Sequence, residues 1–137
     1  MSENTFNEST SIDNGRFQRA EALLANRLGV SASQLMNSMG SDAAPFVRQA
    51  IEWEFADVVS QSSLDMRTQE IVAMTTLATL GETAAALLAL RIQSALRAGL
   101  SRREIVDIFT QMALGTGLPV ALAAIKVATG VFSHTIN

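Results

Sequence analysis

From Asp65 onward the chain is a series of long apolar stretches stopped by glycine, and this punctuation constrains the fold more than any other feature. Gly81 and Gly99 each follow a stretch of about four helical turns, and Gly115-Thr116-Gly117 closes a third. Glycine just past the last periodic residue is a common way for an α-helix to end. Between the stops, Ile71, Val72, Met74, Leu77 and Leu80 wrap much of one helix, and Leu87, Leu88, Leu90 and Ile92 wrap much of the next. A helix that is apolar all round must be buried on several sides. In a chain of 137 residues the simplest cover is another copy of itself, so a homo-oligomer with core-like interfaces is expected.

The remaining signals agree on an all-α protein of about six to seven helices. The composition is 48% hydrophobic but only 5% aromatic, with two prolines, the vocabulary of helix packing rather than of sheets. Met1 to Gly15 is polar and is expected to be a disordered tail, with a single helical domain over residues 16–137. Helical spacing begins at Arg16 (Phe17, Ala20, Leu23, Leu24, Leu28) and stops at Gly29. A short helix fits Ser33 to Met39, and another enters through Pro45 and runs to about Ser60. Asp65 is a good N-cap for Met66 to Leu80, Thr83 can cap the next helix to Ala98, and Ser101-Arg102-Arg103-Glu104 spells a capping box. Pro119 opens the last helix, to about Ser133.

Several functions are excluded or disfavoured. There is no cysteine, which removes disulfides, thiolate metal sites and thiol redox chemistry. The one histidine is His134, near the end, so a Ser-His-Asp site or a histidine-rich metal centre is not expected. A formal charge of −3 offers no basic patch for nucleic acid. The N-terminus has neither a basic nor an apolar leader region, and a cytoplasmic protein is expected. The uncharged window Ile108 to Ile125 is interrupted by Gln111, Gly115, Gly117 and Pro119, so it fits a broken helix pair better than a membrane span.

Arg91 stands in the middle of the apolar run Ala86 to Leu96. A guanidinium cannot shed its charge, and burying one unpaired costs several kcal/mol. Arg67 and Glu70 lie at i, i+3 on the preceding helix, Gln111 sits within the following one, and Glu52 and Glu54 flank Trp53. Two explanations stay open. Arg91 closes a structural salt bridge with Glu70, Glu52 or a neighbouring subunit, or it holds an anion in a pocket. Taken alone, Arg67 and Glu70 make an ordinary solvated helix pair, and Gln111 an ordinary core amide. His134 fits an exposed position near a helix C-terminus.

The order of these pieces resembles the carboxymuconolactone decarboxylase family. The matching frame is Leu-Asp-x-Arg-Thr-x-Glu at Leu64 to Glu70 and Ala-Leu-x-x-Gly-Leu-Ser-Arg-x-Glu-Ile-Val at Ala95 to Val106. Gly-x-Pro-x-Ala at Gly117 to Ala121 and Ala-x-x-Val-Phe at Ala128 to Phe132 complete it, with Ala44-Pro45 and Phe55-Ala56-Asp57 upstream. The resemblance implies an all-helical fold with a helical-hairpin core of the alkylhydroperoxidase D-like type, assembled as a homotrimer or homohexamer. The peroxidase branch of that fold carries Cys-x-x-Cys and then histidine at positions that are Ala84, Leu87 and Arg91 here, so thiol peroxidase activity is excluded. The decarboxylases commonly have a histidine where Arg91 stands. Their Ser-Arg-Pro-Gly stretch is Ser60-Gln61-Ser62-Ser63 here, and an aromatic position of theirs is Gly115.

The resemblance implies a lyase acting on a small carboxylated lactone or similar ring, as in the catabolism of aromatic compounds. Loss of CO2 from such a lactone leaves a dienolate whose charge develops on the lactone carbonyl oxygen. The lactone is its own electron sink, so no metal or organic cofactor is needed. The site must hold the carboxylate, stabilise the oxyanion and deliver a proton to carbon. Arg91 suits the first two tasks. It does not titrate, so the proton falls to Glu70 or Glu52, with ordered water as a fallback. Arg67, Gln111 and Trp53 are the expected substrate-binding residues. The alternatives are a non-catalytic member that binds a small acid and a purely structural oligomer.

Overall fold

In the computed structural model, residues 3–134 are described, with side chains from Gly15 onward; most of the expected Met1 to Gly15 tail lies, for its side chains, outside them. Every regular element among the described residues is helical. The chain divides into two compact units, residues 1–63 and 64–137.

The first unit contains α1 (Glu3–Leu28), α2 (Ala32–Ser38) and α3 (Ala44–Ile51), the last continued by a π-helical segment, Glu52–Val59. The short α2 exists because Ser31 caps it: its hydroxyl accepts the Gln34 amide while the Gln34 side chain returns to the Ser31 N–H. The π segment packs along α1, and Phe55 and Ala56 from it are buried together with Ala20 and Leu24 from α1.

The second unit contains α4 (Met66–Ala78), a 3₁₀ turn (Gly81–Ala84), α5 (Ala85–Arg97), α6 (Arg102–Thr116) and α7 (Leu118–His134). The caps expected from sequence are present where they are purely local. The Asp65 carboxylate accepts the Thr68 amide at 2.7 Å, and Ser101 and Glu104 form the reciprocal box. Gly99, at φ +98°, closes α5 with paired bonds from Gly99 to Leu96 and from Leu100 to Ala95, and the buried Leu100 side chain anchors the turn. Gly117, at φ +90°, separates α6 from α7. The uncharged window from 108 to 125 is thereby split, and among the described residues no helix is long and apolar enough to cross a membrane.

One cap is absent. Thr83 does not open α5, because the 3₁₀ turn from Gly81 runs directly into it. Ala84 takes the cap position, and the Ala85 amide is satisfied by the Glu82 carbonyl. The core is formed by Met74 and Ala78 of α4, Leu88, Ile92 and Ala95 of α5, Ile105 and Phe109 of α6, and Ala124, Ala128 and Val131 of α7. Alanine at so many facing positions lets helix backbones approach closely. Leu114, Leu118 and Leu122 remain on the surface, Leu114 at 87% exposure.

Candidate functional site

The buried charges of the second unit meet between α4 and α5. Glu70 opens α4's buried stripe, one turn before Met74 and two before Ala78, and its side chain is 1% exposed. The apolar sequence around Arg91 continues α5 without interruption, so the arginine is carried into the protein with its neighbours and is 11% exposed. Arg91 Nη1 stands 3.9 Å from Glu70 Oε2. That is an ion-pair contact beyond hydrogen-bond length. Among the partners that sequence left open for Arg91, the structure brings Glu70 to it.

A third polar group belongs to this neighbourhood and was not singled out from sequence. Ser94 follows Arg91 by one turn and shares its side of α5. Its side chain is 1% exposed, and its Oγ has no hydrogen-bond partner among the described residues. The signal was present as a serine inside Arg91-Ile-Gln-Ser94-Ala-Leu. Serine is common enough in helices that only its burial distinguishes it.

Arg67 faces elsewhere. It donates to the Gly99 carbonyl at 3.1 Å and pairs with Glu104, whose other carboxylate oxygen closes the capping box of α6. It therefore ties the start of α4 to the α5–α6 turn, and the solvated Arg67–Glu70 pair expected from i, i+3 spacing does not form. Gln111 is exposed rather than a core amide. It lines an open depression of about 600 Å³ between α4 and α6 with Ile71, Thr75, Glu104, Asp107, Ile108 and Met112.

Glu52 and Trp53 belong to the first unit. The Glu52 carboxylate accepts from Arg16 Nη1 at 2.9 Å and from Arg48 Nε at 3.2 Å. Arg16 also grips Asp57 through two nitrogens, and hydrogen bonding from that guanidinium holds the Asp57 carboxyl below its ordinary value of 3.8. Arg48 stacks over Phe17 with its guanidinium carbon 4.2 Å from the ring centroid. Trp53 is 64% exposed. Both candidates sit at the start of the π-helical segment, a conformation frequent at functional sites.

Residues 44–130, more than half of the chain and spanning parts of both units, match the family model described as the carboxymuconolactone decarboxylase family. No curated protein matches the chain.

Proposed function

The chain belongs to the carboxymuconolactone decarboxylase family, and from that premise we propose that it is a cofactor-independent lyase for a small carboxylated lactone or related ring, with Arg91 and Glu70 as its working pair. The observation that carries this proposal is the buried Glu70 carboxyl standing 3.9 Å from the Arg91 guanidinium. A guanidinium has five N–H donors in a planar fork, more than one carboxylate can engage. Arg91 binds the substrate's anionic groups. As the bond to CO2 breaks, its electron pair passes into the conjugated ring and the charge arrives on the lactone oxygen, where Arg91 stabilises it. Glu70 relays one proton from solvent to the ring carbon, so that the products are CO2 and the decarboxylated lactone. Glu70 is preferred over Glu52 for this role because the Glu52 carboxylate is engaged by two arginines.

The test is CO2 release from an unsaturated γ-lactone bearing a carboxylate at the γ-carbon. The wild-type protein should turn it over, and Arg91→Met should lose at least a hundredfold in kcat/KM while remaining folded. The runner-up is a non-catalytic member that binds a small acid. It is favoured by the fact that Arg91 already has a carboxylate beside it, and it predicts saturable binding of the lactone with no CO2 released by any variant. Self-association belongs to the same proposal, because Leu114, Leu118 and Leu122 expose apolar surface. Sedimentation at micromolar concentration should give a species several times 14.6 kDa. A monomer of that mass contradicts the oligomer.

A further inference from the structure

A separate cavity of about 450 Å³ opens where the 3₁₀ turn and the start of α5 face the middle of α7. Its floor reaches the core residues Ala78, Leu88 and Ala124, all buried. Two charged side chains also line it, Glu82 from the 3₁₀ turn and Lys126 from α7. Neither has an ion pair or hydrogen bond among the described residues, with each other or with any other group. Among other charged side chains of the second unit, Arg67 and Glu104, Glu70 and Arg91, and Arg103 and Asp107 are engaged in ion pairs, and Asp65 accepts the Thr68 amide. The volume falls within the range of about 300–1,000 Å³ typical of small-molecule sites.

The charges define what can fill this space. A purely anionic ligand would gain from Lys126 and be repelled by Glu82, and a cation would meet the reverse. A purely apolar ligand would take solvent from both charges and replace none of it. A molecule with both charges on a short aliphatic body satisfies both side chains while its carbon atoms cover the alanine-rich floor. We propose that this cavity binds a small aliphatic zwitterion, of the chemical class of a free amino acid, with the ligand carboxylate on Lys126 and the ligand ammonium on Glu82. The site is independent of Arg91 and Glu70.

The experiment is titration of the full-length ¹⁵N-labelled protein with alanine, valine and leucine, and with isovalerate and isobutylamine, which each keep one charge of valine. At least one amino acid should saturate, shifting the amides of Ala85 and Val127, and each single-charge analogue should bind about tenfold or more weakly than valine. Lys126→Gln and Glu82→Gln should each weaken amino-acid binding about tenfold, and Ala85→Leu, which fills the cavity and keeps both charges, should abolish it. Arg91→Met should leave it unchanged. The proposal is overturned if none of the three amino acids saturates at millimolar concentration, if isovalerate or isobutylamine binds as tightly as valine, or if both charge-neutralising variants bind like the wild type. It is equally overturned if the cavity amides respond to dilution of the protein and not to amino acids, because the occupant is then a second copy of the chain.

Discussion

The two units use the same residue types in opposite ways. In the first, Arg16, Arg48, Glu52 and Asp57 form a half-exposed network in which the carboxylates accept direct, well-formed hydrogen bonds from the guanidiniums at the edge of the π-helical segment. In the second, Glu70 and Arg91 are more deeply buried, with Arg91 Nη1 3.9 Å from Glu70 Oε2. A half-exposed network is screened by water and acts mainly to fix geometry. A buried ion pair has given up most of its hydration, so its balance depends far more on the groups around it. On the proposed function, the difference separates a scaffold from a site that can respond to a ligand.

The largest expected effect comes from breaking the buried pair. Arg91→Met leaves Glu70 in the interior without its cation and should cost about 3–5 kcal/mol, measured by urea denaturation. Adding Glu70→Gln to that variant should recover most of the loss, because the remaining amide is neutral. Arg16→Met in the first unit should cost less than Arg91→Met, since water can replace what the arginine supplied. Equal losses would erase the contrast between the units.

A smaller effect is expected at a cap outside both charge clusters. Ser101→Ala removes the hydroxyl that accepts the Glu104 amide and should lower stability by about 1 kcal/mol. It also loosens the carboxylate that Arg67 grips, so the same variant sharpens the reading of Arg67 as a structural tie.

Acid should act through carboxylates whose folded values are depressed. Hydrogen bonding from Arg16 lowers Asp57, and the Thr68 amide lowers Asp65, each from an ordinary value of 3.8. A group depressed on folding contributes stability that is present above its unfolded value and lost as pH falls through the folded one. Urea midpoints should therefore decline from about pH 4 downward, and Asp57→Asn should make that decline shallower.

The parts of the fold legible in the sequence were those decided within a few residues. Ser101 and Glu104, Asp65 and Thr68, and the stops at Gly99 and Gly117 depend on local backbone chemistry, and each formed as expected. Thr83 misled because a 3₁₀ turn removed the free helix start that a cap would serve. Arg91 was legible as an anomaly in an apolar run, but its partner was not, since Glu70 had to be chosen from several acids by packing. Glu104, the partner of Arg67, and Arg16, one of two partners of Glu52, lie 37 and 36 residues away in sequence, a separation that no local pattern encodes, whereas Arg48 meets Glu52 from one turn away. Gln111 was misjudged for a related reason: an apolar helix can still turn one side to solvent. Ser94 became visible only through its burial.

The most direct test of the central claim is the affinity of a non-reacting saturated lactone carboxylate for the wild type, Arg91→Met, Glu70→Gln and Glu52→Gln, measured by titration calorimetry. If Arg91 holds the ligand's carboxylate beside Glu70, Arg91→Met loses binding. Glu70→Gln binds about tenfold more tightly, because it removes a competing negative charge worth on the order of 1.4 kcal/mol. Glu52→Gln, in the scaffold network, binds like the wild type. Unchanged affinity in a folded Arg91→Met variant, or weaker binding in Glu70→Gln, would contradict the account.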